Sequence, residues 1–88
     1  MITVKIRLFG AFRKYSNNAE LELQVPKNSD LPALRMALAN ALVKSHSNFS
    51  EHSLIFDSAF ADESTILNKT FKVVENSTLA ILPPVCGG

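Results

Sequence analysis

Apolar and polar positions alternate along the first nine residues, with Ile2, Val4, Ile6 and Leu8 on one side and Thr3, Lys5, Arg7 and Phe9 on the other. A period of two is that of a strand with one buried face. Gly10 and then Ser16-Asn17-Asn18 interrupt the pattern, which resumes with Leu21, Leu23 and Val25 set against Glu20, Glu22 and Gln24. An antiparallel hairpin with a long, basic connection is therefore expected. Pro26 has no N–H to give to a ladder and stops the second strand. Asn28-Ser29-Asp30 then supplies helix-capping side chains, with Asp30 favoured at the positive end of the helix dipole. Leu31, Leu34, Leu38 and Leu42 recur at helical spacing and predict a helix to about Ser45. Pro32 falls in its first turn, where backbone donors have no partner within the helix.

The second half is less regular. Residues 46–53 are polar apart from Phe49 and read as a loop, and the apolar triplet Leu54-Ile55-Phe56 reads as a third strand. From Ala59 to Phe71 no period dominates, although Phe60, Ile66, Leu67 and Phe71 all require partial burial; one short strand or turn is expected there. Asn76-Ser77 marks a turn before a final strand over residues 79–82. This order of elements predicts an α+β domain, a mixed sheet packed on one main helix, with the last strand central and parallel to the first. That arrangement is the ubiquitin-like β-grasp. It is expected to occupy residues 1–82 and to leave residues 83–88 as a protruding C-terminal tail.

Composition narrows the function. A hydrophobic fraction of 47% against 19% charged residues belongs to a folded globule, and 88 residues make one domain. Nine Lys and Arg against eight Asp and Glu leave a net charge of +1, which gives no electrostatic footprint for a nucleic-acid backbone. Cys86 is the only cysteine, so an intrachain disulfide is impossible and a reducing, cytoplasmic setting is expected. The N-terminus lacks the continuous apolar stretch of a signal peptide, and no run approaches the ~20 apolar residues of a membrane span. His46 and His52 flank a polar loop without a second close pair of ligands, so no metal site is expected.

The strongest functional signal is the ending Leu82-Pro83-Pro84-Val85-Cys86-Gly87-Gly88. Pro83 and Pro84 fix two φ angles and cannot extend a ladder, so they direct the last four residues away from the sheet. Gly87 and Gly88 lack a Cβ and can enter a passage that excludes any other residue. Six residues at ~3.3 Å each reach roughly 20 Å when extended, enough to place Gly88 in a partner's buried pocket. A frayed tail is usually polar, whereas this one joins the last strand with no polar spacer.

The segment Phe9-Gly10-Ala11-Phe12-Arg13-Lys14 after the first strand, taken with Ile81-Leu82-Pro83-Pro84-Val85-Cys86-Gly87-Gly88, resembles the small sulfur-carrier subunit of molybdopterin synthase, of the MoaD/ThiS family. The resemblance covers essentially the whole chain, and its specific element is the Pro-Pro-Val-x-Gly-Gly ending. Thiamine-pathway sulfur carriers are similar but usually shorter, without that Pro-Pro-Val. The resemblance implies that an ATP-dependent carboxylate-activating enzyme adenylates Gly88 and that a sulfurtransferase system converts it to a thiocarboxylate. It further implies insertion of the tail, Pro83 to Gly88, into the large synthase subunit, where the sulfur passes to a pyranopterin precursor of the molybdenum cofactor. The chain would then be a non-catalytic carrier subunit with no stably bound cofactor, working in a hetero-oligomer of two small and two large subunits. Rival readings are a sulfur carrier for thiamine thiazole formation, a ubiquitin-like protein modifier joined to lysines through Gly88, and a binding module with an incidental tail.

Other residues carry weaker signals. Phe9, on the side opposite the apolar row, is a candidate partner contact, and Leu82 and Phe60 are assigned to an apolar patch at the root of the tail. Arg13 and Lys14 can steer an acidic partner. Cys86 occupies a variable position of the resemblance, where a small residue suffices; a thiol there is also a competent nucleophile toward an activated Gly88 acyl group.

Overall fold

The alternating first segment is buried as its pattern requires: β1 (Ile2–Leu8) keeps Ile2, Val4, Ile6 and Leu8 out of solvent. It lies in the middle of the sheet in a computed structural model that describes residues 1–15, 18–47, 49–50 and 52–84. β2 (Glu20–Val25) pairs antiparallel with β1, with Ile2 opposite Val25 and Arg7 opposite Glu20. The connection between them contains a 3₁₀ helix, Gly10–Tyr15, which turns Phe12 fully into the core. The final strand, β6 (Ser77–Leu82), pairs parallel with β1. Before it come β3 (Ser29–Asp30), β4 (Ala59–Ala61) and β5 (Lys72–Val73). The main sheet has the order β2-β1-β6-β4, and β3 with β5 forms a separate antiparallel pair.

The helix α1 (Leu31–Ser45) begins where the capping residues place it: the Ala33 amide donates to the Asp30 carboxylate at 3.0 Å. Leu31, Leu34, Leu38 and Leu42 are buried and close the core over the inner face of the sheet. Burying a leucine side chain is worth roughly 1.5–3 kcal/mol, so this stripe holds helix to sheet.

Three expectations need correction. Residues 54–56 are not a strand but part of a second helix, α2 (His52–Asp57), in which Ile55 is buried and Phe56 is exposed. Its neighbour in sequence, Ala59–Ala61, supplies the strand β4 instead, antiparallel to β6, and an isolated bridge joins Ala61 to Ile66. Ile66, expected to be partly buried, is 63% exposed, whereas Leu67 and Phe71 do pack against the core. Finally, β6 begins at Ser77, so the turn ends at Asn76, whose side-chain oxygen accepts from the Thr3 amide at 2.9 Å and ties the start of β6 to β1.

Two contacts fix the region leading into β4. Arg35 on α1 donates to the Ser58 carbonyl at 3.0 Å and lies 5.4 Å from the centre of the Phe60 ring, a cation–π arrangement. The rings of Tyr15 and Phe49 meet edge to face at 5.2 Å, with His46 against Tyr15 and His52 against Phe49, which fastens the 3₁₀ helix to the α1–α2 connection.

Candidate functional site

The end of β6 is positioned by register. Leu8 lies opposite Ile81 in the parallel pairing, so one further step in each chain brings Phe9 beside Leu82 and the next brings Gly10 beside Pro83. Gly10 has φ +57°, in the left-handed region, and a Cβ placed on it would lie 2.7 Å from Pro83 Cγ. Glycine is therefore required there twice, for its backbone conformation and for the approach of the proline ring. On the other flank, Ala59 of β4 lies opposite Leu82. The chain thus leaves the sheet held between Phe9-Gly10 and β4, with Pro83 half-buried and Pro84 exposed. The remaining tail residues assigned from sequence, Val85, Cys86, Gly87 and Gly88, lie outside the described residues.

Around this root the outer face of the sheet is apolar. Phe9 is 40% exposed, as its place in the alternation predicts, and Leu82 is half-buried on the same face with Ala59 and Ala80. Phe9 and Ala80 border a shallow depression edged by Arg7, Asp62 and Glu63. Farther from the root the same face becomes polar, with Lys5 opposite Glu22 and Thr3 opposite Gln24. An apolar centre with a charged rim is the usual composition of a protein-binding surface.

Phe60 does not belong to this face. It is fully buried, paired with Ile81 on the inner side of the sheet and covered by Arg35. Its strand is Ala-Phe-Ala, so alternation sends the aromatic ring inward and leaves small residues outside. Ala59 and Ala80 escape a reading of the sequence because alanine in a short strand gives no signal of exposure. The Gly10–Pro83 contact escapes it because it depends on the parallel register of two distant segments.

Arg13 and Lys14 are both exposed on the 3₁₀ helix, with the Lys14 ammonium 5.3 Å from the Tyr15 ring centre. Asp62, on the rim, is fully exposed. The Ser64 amide, then the Thr65 amide, donate to its carboxylate at 2.9 Å each and hold its pKa below the ordinary value. Among the described residues, no three His, Cys, Asp or Glu side chains gather as a metal site would need, and no helix is long and apolar enough to cross a membrane. The described surface thus places an apolar patch, Phe9 with Leu82, Ala59 and Ala80, beside the last described residues of the chain.

No protein-family model and no curated protein matches the chain. Solved structures do. Small archaeal modifier protein 1 from Haloferax volcanii superposes with a TM-score of 0.70 at 15% identity, over 97% of this chain and 100% of that one. A molybdopterin converting factor subunit 1 from Pyrococcus furiosus, itself named as putative, gives 0.62 at 20% identity, over 97% and 100%. The complex of subunits 1 and 2 of the molybdopterin-converting factor from Helicobacter pylori contains a chain that gives 0.59 at 22% identity, over 99% and 100%. At such identities the likeness speaks for the fold, and the fold of this chain is the ubiquitin-like β-grasp that these modifier and converting-factor chains share.

Proposed function

We propose that this chain is the sulfur-carrier small subunit of a molybdopterin synthase, with the Gly88 carboxylate as its reacting group. The observation that carries the reading is the seating of Leu82 and Pro83, just before the Gly-Gly ending of the sequence, against Phe9-Gly10 at the margin of an exposed apolar face. The likeness to a chain of a complex of converting-factor subunits 1 and 2 supports a large-subunit partner.

In this reading the Gly88 carboxylate attacks the α-phosphate of ATP on an activating enzyme, forming an acyl adenylate and releasing pyrophosphate. A carboxylate is a poor electrophile; the mixed anhydride supplies AMP as a leaving group. A sulfur nucleophile at the hydrosulfide level displaces AMP and leaves a thiocarboxylate. Inside the large subunit the thiocarboxylate sulfur bonds to an electrophilic carbon of the pterin precursor as a C–O bond at that carbon breaks and its oxygen leaves protonated; water then hydrolyses the resulting thioester, returning the Gly88 carboxylate and leaving the sulfur on the acceptor as a thiol. General acids and bases for these steps belong to the partners. Cys86 serves as a small residue next to the glycines.

Mixing the thiocarboxylated chain with a molybdopterin synthase large subunit and the pterin precursor tests this: sulfur should appear in the pterin as the thiocarboxylate is consumed. A second reading, favoured by the likeness to small archaeal modifier protein 1, is attachment of Gly88 to protein lysines. Amide-linked conjugates in cells, with no sulfurated pterin in the mixture, would establish that reading and reject the first.

A further inference from the structure

The helix α1 is apolar on both sides. Opposite the buried row of Leu31, Leu34, Leu38 and Leu42 it turns Pro32, Ala33, Met36, Asn40 and Val43 to solvent, with Met36 53% and Val43 40% exposed. Met36, Asn40 and Val43 follow at i, i+4 and i+7 and so form one stripe pointing away from the core. The helix contains no Asp or Glu, and its two cations are Arg35, engaged with Ser58 and the Phe60 ring, and Lys44 in the last turn. A surface helix ordinarily sets charged residues against water, whereas one that is apolar all round is a covered helix.

The make-up of the stripe states what covers it. A foreign partner is selected by charges that complement its own, and from Pro32 to Val43 the exposed positions carry none. The stripe does complement itself. Two copies crossing antiparallel about Asn40 set Met36 of each against Val43 of the other. The two Asn40 amides, each both donor and acceptor, then meet on the twofold axis. A single polar Asn within an apolar seam fixes its register. At 1.5 Å of rise per residue each Lys44 lies about 6 Å along the helix from that axis, so the two ammonium groups sit at opposite ends of the seam, out of like-charge contact. We infer that the solvent side of α1 joins two copies of this chain in a symmetric dimer. A single helix crossing buries less than the ~1,200 Å² of a standard interface, so the dimer is weak, with a Kd on the order of 0.1 mM. The seam lies across the sheet from Phe9 and Leu82, so both tail roots stay open in the dimer.

The test is sedimentation equilibrium and amide NMR of the full chain over concentrations from about 20 µM to about 1 mM, which bracket that Kd. The mean mass should rise from that of one chain towards that of two, with concentration-dependent shifts centred on Met36, Asn40 and Val43. Met36→Lys, at an exposed position, would face Val43 and Lys44 of the second copy and should weaken association about tenfold or more, while the remaining spectrum stays that of the folded chain. An equimolar mixture of Met36→Lys and Lys44→Glu should associate about as well as the parent chain, because the antiparallel crossing sets position 36 of one helix beside position 44 of the other. A chain that stays monomeric to about 1 mM, association indifferent to Met36→Lys, a mixture no better than Met36→Lys alone, or shifts confined to β2 or to the Phe9 face would each overturn the inference. Shifts along α1 that appear only when a molybdopterin synthase large subunit is added would overturn it too, and would give this face to that partner.

Discussion

Substituting Gly10 by alanine probes the seating of the tail root most directly. Two penalties act together. The φ of +57° places an alanine in the left-handed region, which costs about 1–2 kcal/mol for an L-residue. The new Cβ would also lie 2.7 Å from Pro83 Cγ, well inside the 3.4 Å at which ordinary contacts begin. Relieving that overlap by moving the ring or the strand end costs a further ~1–3 kcal/mol, the usual range for overpacking. The sum, about 2–5 kcal/mol, is a large part of the roughly 4–13 kcal/mol available to a domain of this size. Urea unfolding of Gly10→Ala, Pro83→Ala and the double variant separates the two. Pro83→Ala removes the Cγ, so in its background Gly10→Ala should cost only the conformational part, leaving a coupling of about 1–3 kcal/mol between the sites. A coupling near zero would refute the contact, and an unchanged midpoint for Gly10→Ala would refute both parts of the argument.

Four other substitutions have outcomes set by the burial and bonding of the side chain replaced. Phe60→Ala should destabilise the fold by about 3–5 kcal/mol in urea unfolding because the ring is wholly buried, whereas Phe9→Ala should shift stability by less than about 1 kcal/mol and weaken large-subunit binding roughly tenfold by calorimetry. Arg35→Met keeps most of the stem but removes the bond to the Ser58 carbonyl and the charge over Phe60, a loss of about 1–2 kcal/mol that thermal unfolding will measure. For Asp62 the folded-state pKa is lowered by the Ser64 and Thr65 amides, so its stabilisation is complete above the ordinary carboxylate value near ~3.9 and is lost as pH falls through the depressed value. The acid limb of the stability profile should accordingly be shallower in Asp62→Asn than in the parent chain.

The parts of the fold legible in the sequence are those with enough length to show a period. The seven residues of β1 and the leucines of α1 each repeat their pattern several times, and the Asp30 cap and the parallel placement of the last strand agree with them. Where an element is short, the pattern fails. Leu54-Ile55-Phe56 is one turn of a six-residue helix with a single buried residue, and three consecutive apolar positions fit either a helix or a strand. β3 and β5 are two residues each, held by pairing between Asp30 and Lys72 and between Ser29 and Val73, which no local signal announces. The site divides in the same way. The exposure of Phe9 can be read from the alternation of β1, but the burial of Phe60 cannot be read from its own strand, because three residues do not reveal which face is inward.

The central claim is that Gly88 carries sulfur, and the intact mass of the chain tests it most directly. The protein is incubated with ATP, a sulfur donor and an active carboxylate-activating enzyme from the same host, alongside a control lacking Gly88. Exchange of one carboxylate oxygen for sulfur in the full-length chain alone is the predicted result; an unchanged mass, with the enzyme shown to turn over ATP on the chain, would contradict the account.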